Sequence, residues 1–232
     1  MNIIITGASK GIGKAIAREY AASGHTVFLC SRNEEQLKLT AAAIEKEFPA
    51  AKVHVKAADL SVKHEAEHFA DWCLQQAVPD ILVNNAGAYL PGNISNEPDG
   101  NMEAMMAVNF YSAYHLTRRI LPAMLQKKAG HIFNMCSIAS LDAYDGGGSY
   151  SISKFALWGF TKNLRHELKE KGIKVTGIFP GAVLTDSWGN YDNSNGRIME
   201  AGDVAKMLVA AGSLSPQAVV EDIILRPQLG DL

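Results

Sequence analysis

Short apolar runs alternate along this chain with longer segments in which apolar residues recur every three to four positions. The short runs predict seven buried strands, at residues 2–6, 25–30, 52–57, 81–84, 131–136, 174–179 and 218–226. The longer segments predict amphipathic helices, among them 34–48, 63–77 and 101–126. Because strands separated by helices form βαβ units, we predict a doubly wound parallel sheet with helices on both faces and strand order 3-2-1-4-5-6-7.

The composition is that of an ordinary globular protein, and it argues against several functional classes. Of the 232 residues, 47% are hydrophobic and 20% are charged, which predicts one α/β domain over residues 1–232. The net charge of -2 argues against a nucleic-acid-binding protein, and no apolar run approaches the ~18–20 residues of a membrane span. The chain enters a strand without a basic signal-peptide start, and its three cysteines follow no metal-binding spacing. We therefore predict a cytoplasmic protein without a metal site.

A glycine-rich turn joins the first predicted strand to the first helix. Its glycines, Gly7, Gly11 and Gly13, differ in spacing from the more common G-x-G-x-x-G sequence. Glycines let the backbone approach phosphate groups closely, and a helix N-terminus supplies free N–H groups and the positive end of a dipole. The position of this turn predicts a nucleotide-phosphate site.

Tyr150 and Lys154 are four residues apart at the start of a predicted helix, for which Ser149 is a suitable N-cap. Residues at this spacing lie on one face of a helix, so the phenol and the ammonium group point into the same space. A cation about 4–6 Å away lowers the pKa of a phenol from about 10, and such a tyrosine can exchange a proton with an alcohol or a ketone. The same pair also arises by chance in amphipathic helices, so a catalytic interpretation depends on the rest of the chain.

Further motifs lie at the ends of predicted strands and inside the long helix. They are Asn84-Asn-Ala-Gly87 after the fourth strand, Asn109 in the 101–126 helix, Ser137 after the fifth strand, and Pro180-Gly-x-x-x-Thr185 after the sixth. In this order, together with the glycine turn and the Tyr150 pair, they resemble the short-chain dehydrogenase/reductase family. The resemblance covers roughly residues 2–186 and implies a single-domain Rossmann fold that binds ligands at the carboxyl ends of its strands.

The resemblance implies an oxidoreductase that interconverts a ketone or aldehyde and an alcohol by hydride transfer with a nicotinamide cofactor. It implies that Tyr150 is the general acid in reduction and the general base in oxidation, and that Lys154 lowers the Tyr150 pKa and binds the nicotinamide ribose. It also implies that Ser137 holds the substrate oxygen and that Asn109 holds a water linking Lys154 to solvent. Taken alone, Ser137 is also interpretable as a turn serine and Asn109 as a polar residue on a helix surface.

The predicted cofactor is NADP(H), and this prediction rests on the end of the second strand. An NAD-specific site places a carboxylate there, whereas this strand ends in Ser31-Arg32 without an acid. The Arg32 guanidinium, the Ser31 hydroxyl and the Lys10 ammonium suit a 2′-phosphate, unless the two cations are only solvated surface side chains. The other cofactor contacts that the resemblance implies, with Asp59 alternatively a helix-entry residue, are Gly7, Ser9, Gly11, Ile12, Gly13, Asp59, Leu60, Asn85, Ala86, Gly87, Tyr150, Lys154, Pro180, Gly181, Val183 and Thr185.

Residues 184–199 form the segment that varies most within this family, and we predict a short substrate loop there. Candidates for an apolar substrate pocket, or alternatively for plain packing, are Tyr89, Leu90, Ile138, Leu141, Tyr144, Trp188 and Tyr191. Three glycines precede Tyr150, namely Gly146, Gly147 and Gly148. They indicate that the backbone approaches the substrate closely or is mobile there.

Alternative functions and the assembly remain open at this stage. A 3-oxoacyl-[acyl-carrier-protein] reductase needs a basic patch, for which Lys127, Lys128, Lys169 and Lys171 are candidates, although lysines at helix ends are more often solvated. The chain also lacks the Gly-x-x-x-x-Val-Asp-Gly-Gly-like end usual in such reductases. A catalytically inactive NADP-binding regulatory protein is less favoured. Apolar residues on several faces of the long helices, with the family resemblance, imply a homodimer or homotetramer.

Overall fold

A computed structural model describes residues 1–231 of this chain, with the backbone alone at Ser187, and Leu232 of the predicted domain lies outside the described residues. The strands are β1 (Asn2–Thr6), β2 (Thr26–Ser31), β3 (Lys52–Ala57), β4 (Ile81–Asn84), β5 (Gly130–Met135), β6 (Ile173–Pro180), β7 (Val183–Leu184), β8 (Met199–Glu200) and β9 (Asp222–Leu225). The α-helices are α1 (Gly11–Ala22), α2 (Glu34–Glu47), α3 (Lys63–Gln76), α4 (Asn101–Met106), α5 (Ser112–Lys127), α6 (Gly148–Leu168) and α7 (Ala201–Gly212).

The described strands form one large parallel sheet and one small one. The large sheet has seven strands in the order β3-β2-β1-β4-β5-β6-β9, which confirms the predicted order because β9 is its seventh strand along the chain. β7 and β8 pair separately, at the two ends of the predicted substrate loop, and no sequence pattern indicated this pair. The last strand of the large sheet is shorter than the predicted 218–226.

The apolar side chains of the strands point alternately to the two faces of the sheet. In β1, Ile3 and Ile5 join a core with residues of α1 and α7, whereas Ile4 joins the opposite core with residues of α3 and α5. Burial on both faces explains why these strands are continuous apolar runs. Because helices cover both faces, the carboxyl edge of the sheet is where a ligand can reach the strands. Within residues 1–231, no helix is both long and apolar enough to cross a membrane.

Two helix predictions need correction. The predicted 101–126 helix is not one continuous α-helix, because a π-helical turn, Ala107–Tyr111, joins α4 to α5 and contains Asn109. Such turns occur often at functional sites, and here the turn places the Asn109 amide inside the molecule. Ser149 is not the N-cap of its helix, since α6 begins at Gly148 and its N-cap residue is Gly147.

His131, near the start of β5, is a buried titratable residue, 4% exposed. Its Nε2 lies 2.7 Å from Thr176 Oγ1, and the Thr176 hydroxyl donates to the Val220 carbonyl at 2.6 Å. The hydroxyl proton is therefore already used, so the neutral His131 ring donates from Nε2. Burial lowers the pKa of His131 from 6.5 to about 3.

We expect this histidine to make the protein less stable in mild acid. As pH falls, the histidine of the unfolded chain takes up a proton before His131 of the folded protein does. The contribution of neutral His131 to the free energy of unfolding is therefore complete above pH ~6.5 and is lost as pH falls toward the folded pKa. At pH ~5 this loss is about 2 kcal/mol. Urea unfolding at pH 7.5 and pH 5, compared between the native protein and His131→Gln, measures this difference. The glutamine variant should lose about 2 kcal/mol less between the two pH values, and equal losses would contradict the assignment.

Candidate active site

The glycine turn between β1 and α1 forms a cradle that only glycine can build. Gly7 and Gly11 have positive φ angles of 63° and 53°. A Cβ at Gly13 would lie 2.3 Å from the Gly7 carbonyl oxygen, closer than two atoms can approach. The N-cap residue of α1, Lys10, makes no side-chain capping bond, so the first N–H groups of the helix are available to an anion. The cradle therefore fits a pyrophosphate group.

The segment after β4 is tied to this turn by hydrogen bonds. Thr6 Oγ1 accepts from the backbone N–H of Asn85 at 2.9 Å and of Ala86 at 2.8 Å. The Asn85 amide donates to the Thr6 carbonyl at 2.8 Å and to the Gly7 carbonyl at 3.3 Å. The Asn85 side chain thus holds the shape of the glycine turn, a role that its position in the motif did not indicate. Gly87 is exposed beside this junction.

The predicted cofactor residues after β2 and β3 lie at the same edge of the sheet. Arg32 is exposed, and the Ser31 hydroxyl donates to the Asn33 carbonyl at 3.2 Å. Asp59 Oδ1 accepts from the backbone and the hydroxyl of Ser61, which makes it a turn residue ahead of α3 as well as a neighbour of the site. The side chain of Leu60 packs in the core, so only its backbone faces outward.

The remaining predicted cofactor residues are divided between the core and the cradle. Ile12 and Val183 pack in the core beside α1. The Ser9 carbonyl accepts from the Thr40 hydroxyl at 2.7 Å, which holds the turn against α2. A Cβ at Gly11 would lie 3.2 Å from the Thr185 methyl group, so the segment after β6 reaches the cradle. Pro180 ends β6, and the Gly181 N–H donates to the Leu225 carbonyl at 2.8 Å.

Lys10, the other cation predicted to bind the 2′-phosphate, is paired with an acidic side chain. Its Nζ lies 3.0 Å from Asp186 Oδ2, in the short helical turn Asp186–Trp188 that opens the predicted substrate loop. Both side chains are more than half exposed, so this ion pair contributes little to stability.

The predicted catalytic residues meet at the carboxyl edge beside the cradle. The Ser137 hydroxyl lies beside the Tyr150 phenol and lowers its pKa. Lys154 is 5% exposed, and its Nζ donates to the Met135 carbonyl at 2.8 Å and lies 5.7 Å from the centre of the Tyr150 ring. The structure thus brings together side chains from the end of β5 and from the first turns of α6.

Asn109 supports this group from inside the molecule. It is 1% exposed, so it is not a polar residue on a helix surface. Its Oδ1 accepts from the Ala88 N–H at 2.8 Å, and its Nδ2 donates to the Ala88 carbonyl at 3.0 Å and to Ser153 Oγ at 2.9 Å. The Ser153 hydroxyl in turn donates to the Tyr150 carbonyl at 2.7 Å. A chain of hydrogen bonds therefore joins the π-helical turn to the backbone of Tyr150.

Burial dominates the protonation of the two ionisable groups. It raises the pKa of Tyr150, while the hydrogen bond with Ser137 lowers it by less. It also lowers the pKa of Lys154 from 10.5 to about 8. The raised pKa keeps the Tyr150 phenol protonated at neutral pH. That Lys154 lowers this pKa stays a prediction.

Aromatic side chains surround the opening above Tyr150. The Tyr89 ring meets the Tyr150 ring edge-on, with 4.9 Å between the ring centres, and the Tyr144 hydroxyl lies near that of Tyr89. Trp188 and Tyr191 lie together in the substrate loop, 5.2 Å apart. Among the other predicted pocket residues, Leu90 is exposed, Ile138 is half-buried, and Leu141 packs against the core beside α6. The opening is therefore largely apolar, with phenol groups near the reacting position.

The lysines considered for a basic patch lie at the opposite edge of the sheet. Lys127 ends α5 just before β5 begins, and it forms an ion pair with Asp80, which precedes β4. Lys169 and Lys171 flank the short turn that leads into the start of β6. Since the catalytic side chains follow the carboxyl ends of these strands, the length of the sheet separates them from the lysines.

Known proteins similar to this chain share its length and its fold. Residues 1–196 match the family model described as short chain dehydrogenase. An uncharacterized oxidoreductase of Staphylococcus epidermidis is 31% identical over 225 residues, which cover 97% of this chain and 96% of that protein. A metagenomic short-chain oxidoreductase solved in complex with NADP is 30% identical, with a TM-score of 0.84 over 98% of this chain and 97% of that chain. A variant of the actinorhodin polyketide ketoreductase solved with NADPH is 25% identical, with a TM-score of 0.88 over 100% of this chain and 97% of that chain. The cofactor predicted from Arg32 is the one that both solved structures hold.

Proposed function

We propose that this chain, which belongs to the short-chain dehydrogenase/reductase family, is an NADP(H)-dependent oxidoreductase. Its proposed reaction interconverts a ketone or aldehyde and an alcohol. The observation that carries the proposal is that Ser137, Tyr150 and the buried Lys154 meet next to the glycine cradle. NADP(H), when bound, supplies or accepts the hydride. Gly7, Gly11 and Gly13 would hold its pyrophosphate, and Arg32 its 2′-phosphate.

The protein's own side chains then manage the substrate oxygen and its proton. In reduction, the hydroxyls of Ser137 and Tyr150 donate hydrogen bonds to the carbonyl oxygen, and Tyr150 transfers its proton as the alcohol forms. Lys154, whose pKa burial lowers to about 8, can release a proton near neutral pH and so restore the phenol. Asn109 holds the backbone of Tyr150 through Ser153, in addition to the water that the family resemblance assigns to it.

The experiment that tests this function is a substrate panel. NADPH oxidation is followed spectroscopically with simple ketones, aldehydes, diketones, pterins and β-ketoacyl thioesters, with NADP⁺ reduction by the corresponding alcohols as the reverse assay. Turnover of at least one carbonyl class is expected. Binding of NADPH without turnover of any class would favour the inactive regulatory alternative.

The acyl-carrier alternative has arguments on both sides. The similarity to a polyketide ketoreductase favours a β-ketoacyl substrate. The lysines that were candidates for carrier docking lie at the far edge of the sheet, however, and the mouth of the site has acidic Asp186 beside Lys10. We therefore propose a small carbonyl or alcohol substrate rather than one bound to an acyl carrier. The panel separates these two possibilities because it includes free β-ketoacyl thioesters.

We propose that the chain assembles as a homodimer or homotetramer through α5 and α6. Some apolar residues of these helices pack within the chain, since the Phe160 ring contacts Phe110 edge-on and Tyr114 at a tilt. Ile152 and Phe155 on α6, with Tyr111 in the π-helical turn, are instead large apolar side chains exposed to solvent. Such a face on two neighbouring helices suits a four-helix interface.

Phe155→Asp should disrupt this assembly, because it places a charge in the centre of the apolar face. We expect light scattering at micromolar concentration to show an oligomer for the native protein and a smaller species for the variant. Leu39→Asp, an exposed apolar side chain on α2, is the matched control and should leave the mass unchanged. A monomeric native protein would contradict the proposal.

A further inference from the structure

The loop between β4 and α4 is fastened to the start of the catalytic helix. The Gly92 N–H donates to the Gly146 carbonyl at 3.0 Å, and the Gly146 N–H donates to Asn93 Oδ1 at 2.7 Å. A Cβ at Gly148 would lie 2.2 Å from the Gly92 carbonyl oxygen. These contacts explain the three glycines ahead of Tyr150, since at least Gly148 has no room for a side chain.

Glu97, in this loop, acts as the missing cap of α6. The N-cap residue of the helix, Gly147, has no side chain to cap it. The Glu97 carboxylate accepts from the Ser149 hydroxyl through Oε1 and from the Ser149 N–H through Oε2 at 3.3 Å. Ser149 is completely buried, and Glu97 is half-buried. A carboxylate at this end of a helix is also favoured by the helix dipole.

The Glu97–Ser149 contact lies directly beside the backbone of Tyr150. Ser149 immediately precedes Tyr150, and the loop that carries Glu97 also carries Tyr89, which packs edge-on against the Tyr150 ring. The next turn of the helix is held from the other side through Ser153. The backbone of Tyr150 is thus held at both ends, by two segments that are distant in sequence.

We propose that Glu97 is a positioning residue for the reaction, acting through Ser149 to place the Tyr150 hydroxyl against the substrate oxygen. The inference rests on the proposed function, in which Tyr150 is the proton donor. Small errors in the position of a reacting group cost large factors in rate, with about 1 Å worth roughly a hundredfold. Glu97 makes no contact with the glycine cradle among the hydrogen bonds of residues 1–231, so cofactor affinity is expected to be independent of it.

Glu97→Ala should therefore lower kcat by ~10–100-fold while leaving the Kd for NADPH within about twofold of the native value. Glu97→Gln keeps an oxygen that accepts from Ser149, and it should restore most of the rate. Ser149→Ala in the Glu97→Ala background should add little further loss, because the two residues act as a unit. Glu103→Ala removes an exposed carboxylate six residues further along, on α4, and is the matched control.

Hydrogen–deuterium exchange supplies a measurement that does not depend on turnover. Glu97→Ala should raise amide exchange in residues 148–152, whereas Glu103→Ala should not. A native kcat in Glu97→Ala would overturn the positioning role. Losses of kcat and of NADPH affinity that are equal in both Glu97 variants would overturn it too. Either result leaves the proposed function intact. If the alanine variant fails to fold, the Glu97→Gln and Ser149→Ala comparison decides the question. Failure of the proposed function itself is recognised separately, by a native protein that turns over no member of the substrate panel.

Discussion

Replacing Tyr150 with Phe should leave NADPH binding intact and lower turnover by about a thousandfold or more. Proton transfer by a positioned acid contributes roughly 10²–10⁴ in rate, and the substitution removes the phenol hydroxyl that lies beside Ser137 and that we propose as the acid. The ring remains, so its edge-on packing with Tyr89 and the glycine cradle are preserved. The loss should appear in kcat rather than in the Kd for NADPH.

The measurement is steady-state kcat with the best member of the panel, together with NADPH affinity from fluorescence titration. Tyr20→Phe is the matched control, since Tyr20 is a fully buried tyrosine on α1 whose hydroxyl has no partner among the described residues. It should retain turnover within a few fold. A Tyr150→Phe enzyme with near-native kcat would mean that another group supplies the proton.

Exchanging Arg32 for Asp should reverse the cofactor preference, and this is the second large effect we expect. A charge-assisted contact with phosphate contributes roughly 1.5–3 kcal/mol, which corresponds to about a tenfold to hundredfold preference for NADPH over NADH. The aspartate removes that contact, repels the 2′-phosphate, and can accept hydrogen bonds from the ribose hydroxyls of NADH. We therefore expect kcat/KM for NADPH to fall by about a hundredfold and that for NADH to rise.

The comparison needs kcat/KM for both cofactors in the native protein, in Arg32→Asp and in a charge-matched control. Lys46→Asp makes the same change of charge at the exposed far end of α2 and should not alter the preference. Lys10→Ala should have a smaller effect than Arg32→Asp, because Lys10 pairs with Asp186 in this structure. Equal use of NADPH and NADH by the native enzyme would rule out the role of Arg32.

Much of the architecture was determined by the sequence itself. The predicted bounds of the strands at 2–6, 52–57 and 81–84 agree with the structure residue by residue. Strands that are buried on both faces need unbroken apolar runs, and the helices between them need a stripe of apolar residues along one side. Both patterns lie within short stretches of the chain, so they can be recognised from the sequence. The proximity of the predicted catalytic residues was readable for a similar reason, since Tyr150 and Lys154 lie one helical turn apart and Ser137 comes shortly after a strand.

Only the tertiary structure decided which partners these groups have. Ser149 looked like a local N-cap, yet its hydroxyl bonds to Glu97, 52 residues earlier in the chain. Asn109 looked like part of a regular helix, yet its bonds to Ala88 and Ser153 accompany a π-helical turn. The Lys154 ammonium lies beside the Tyr150 ring as the helical spacing predicted, and it also donates to the Met135 carbonyl, which no local pattern indicated. Each of these outcomes depends on burial and on contacts between distant segments, because a buried polar group must bond to whatever partner the fold brings within reach.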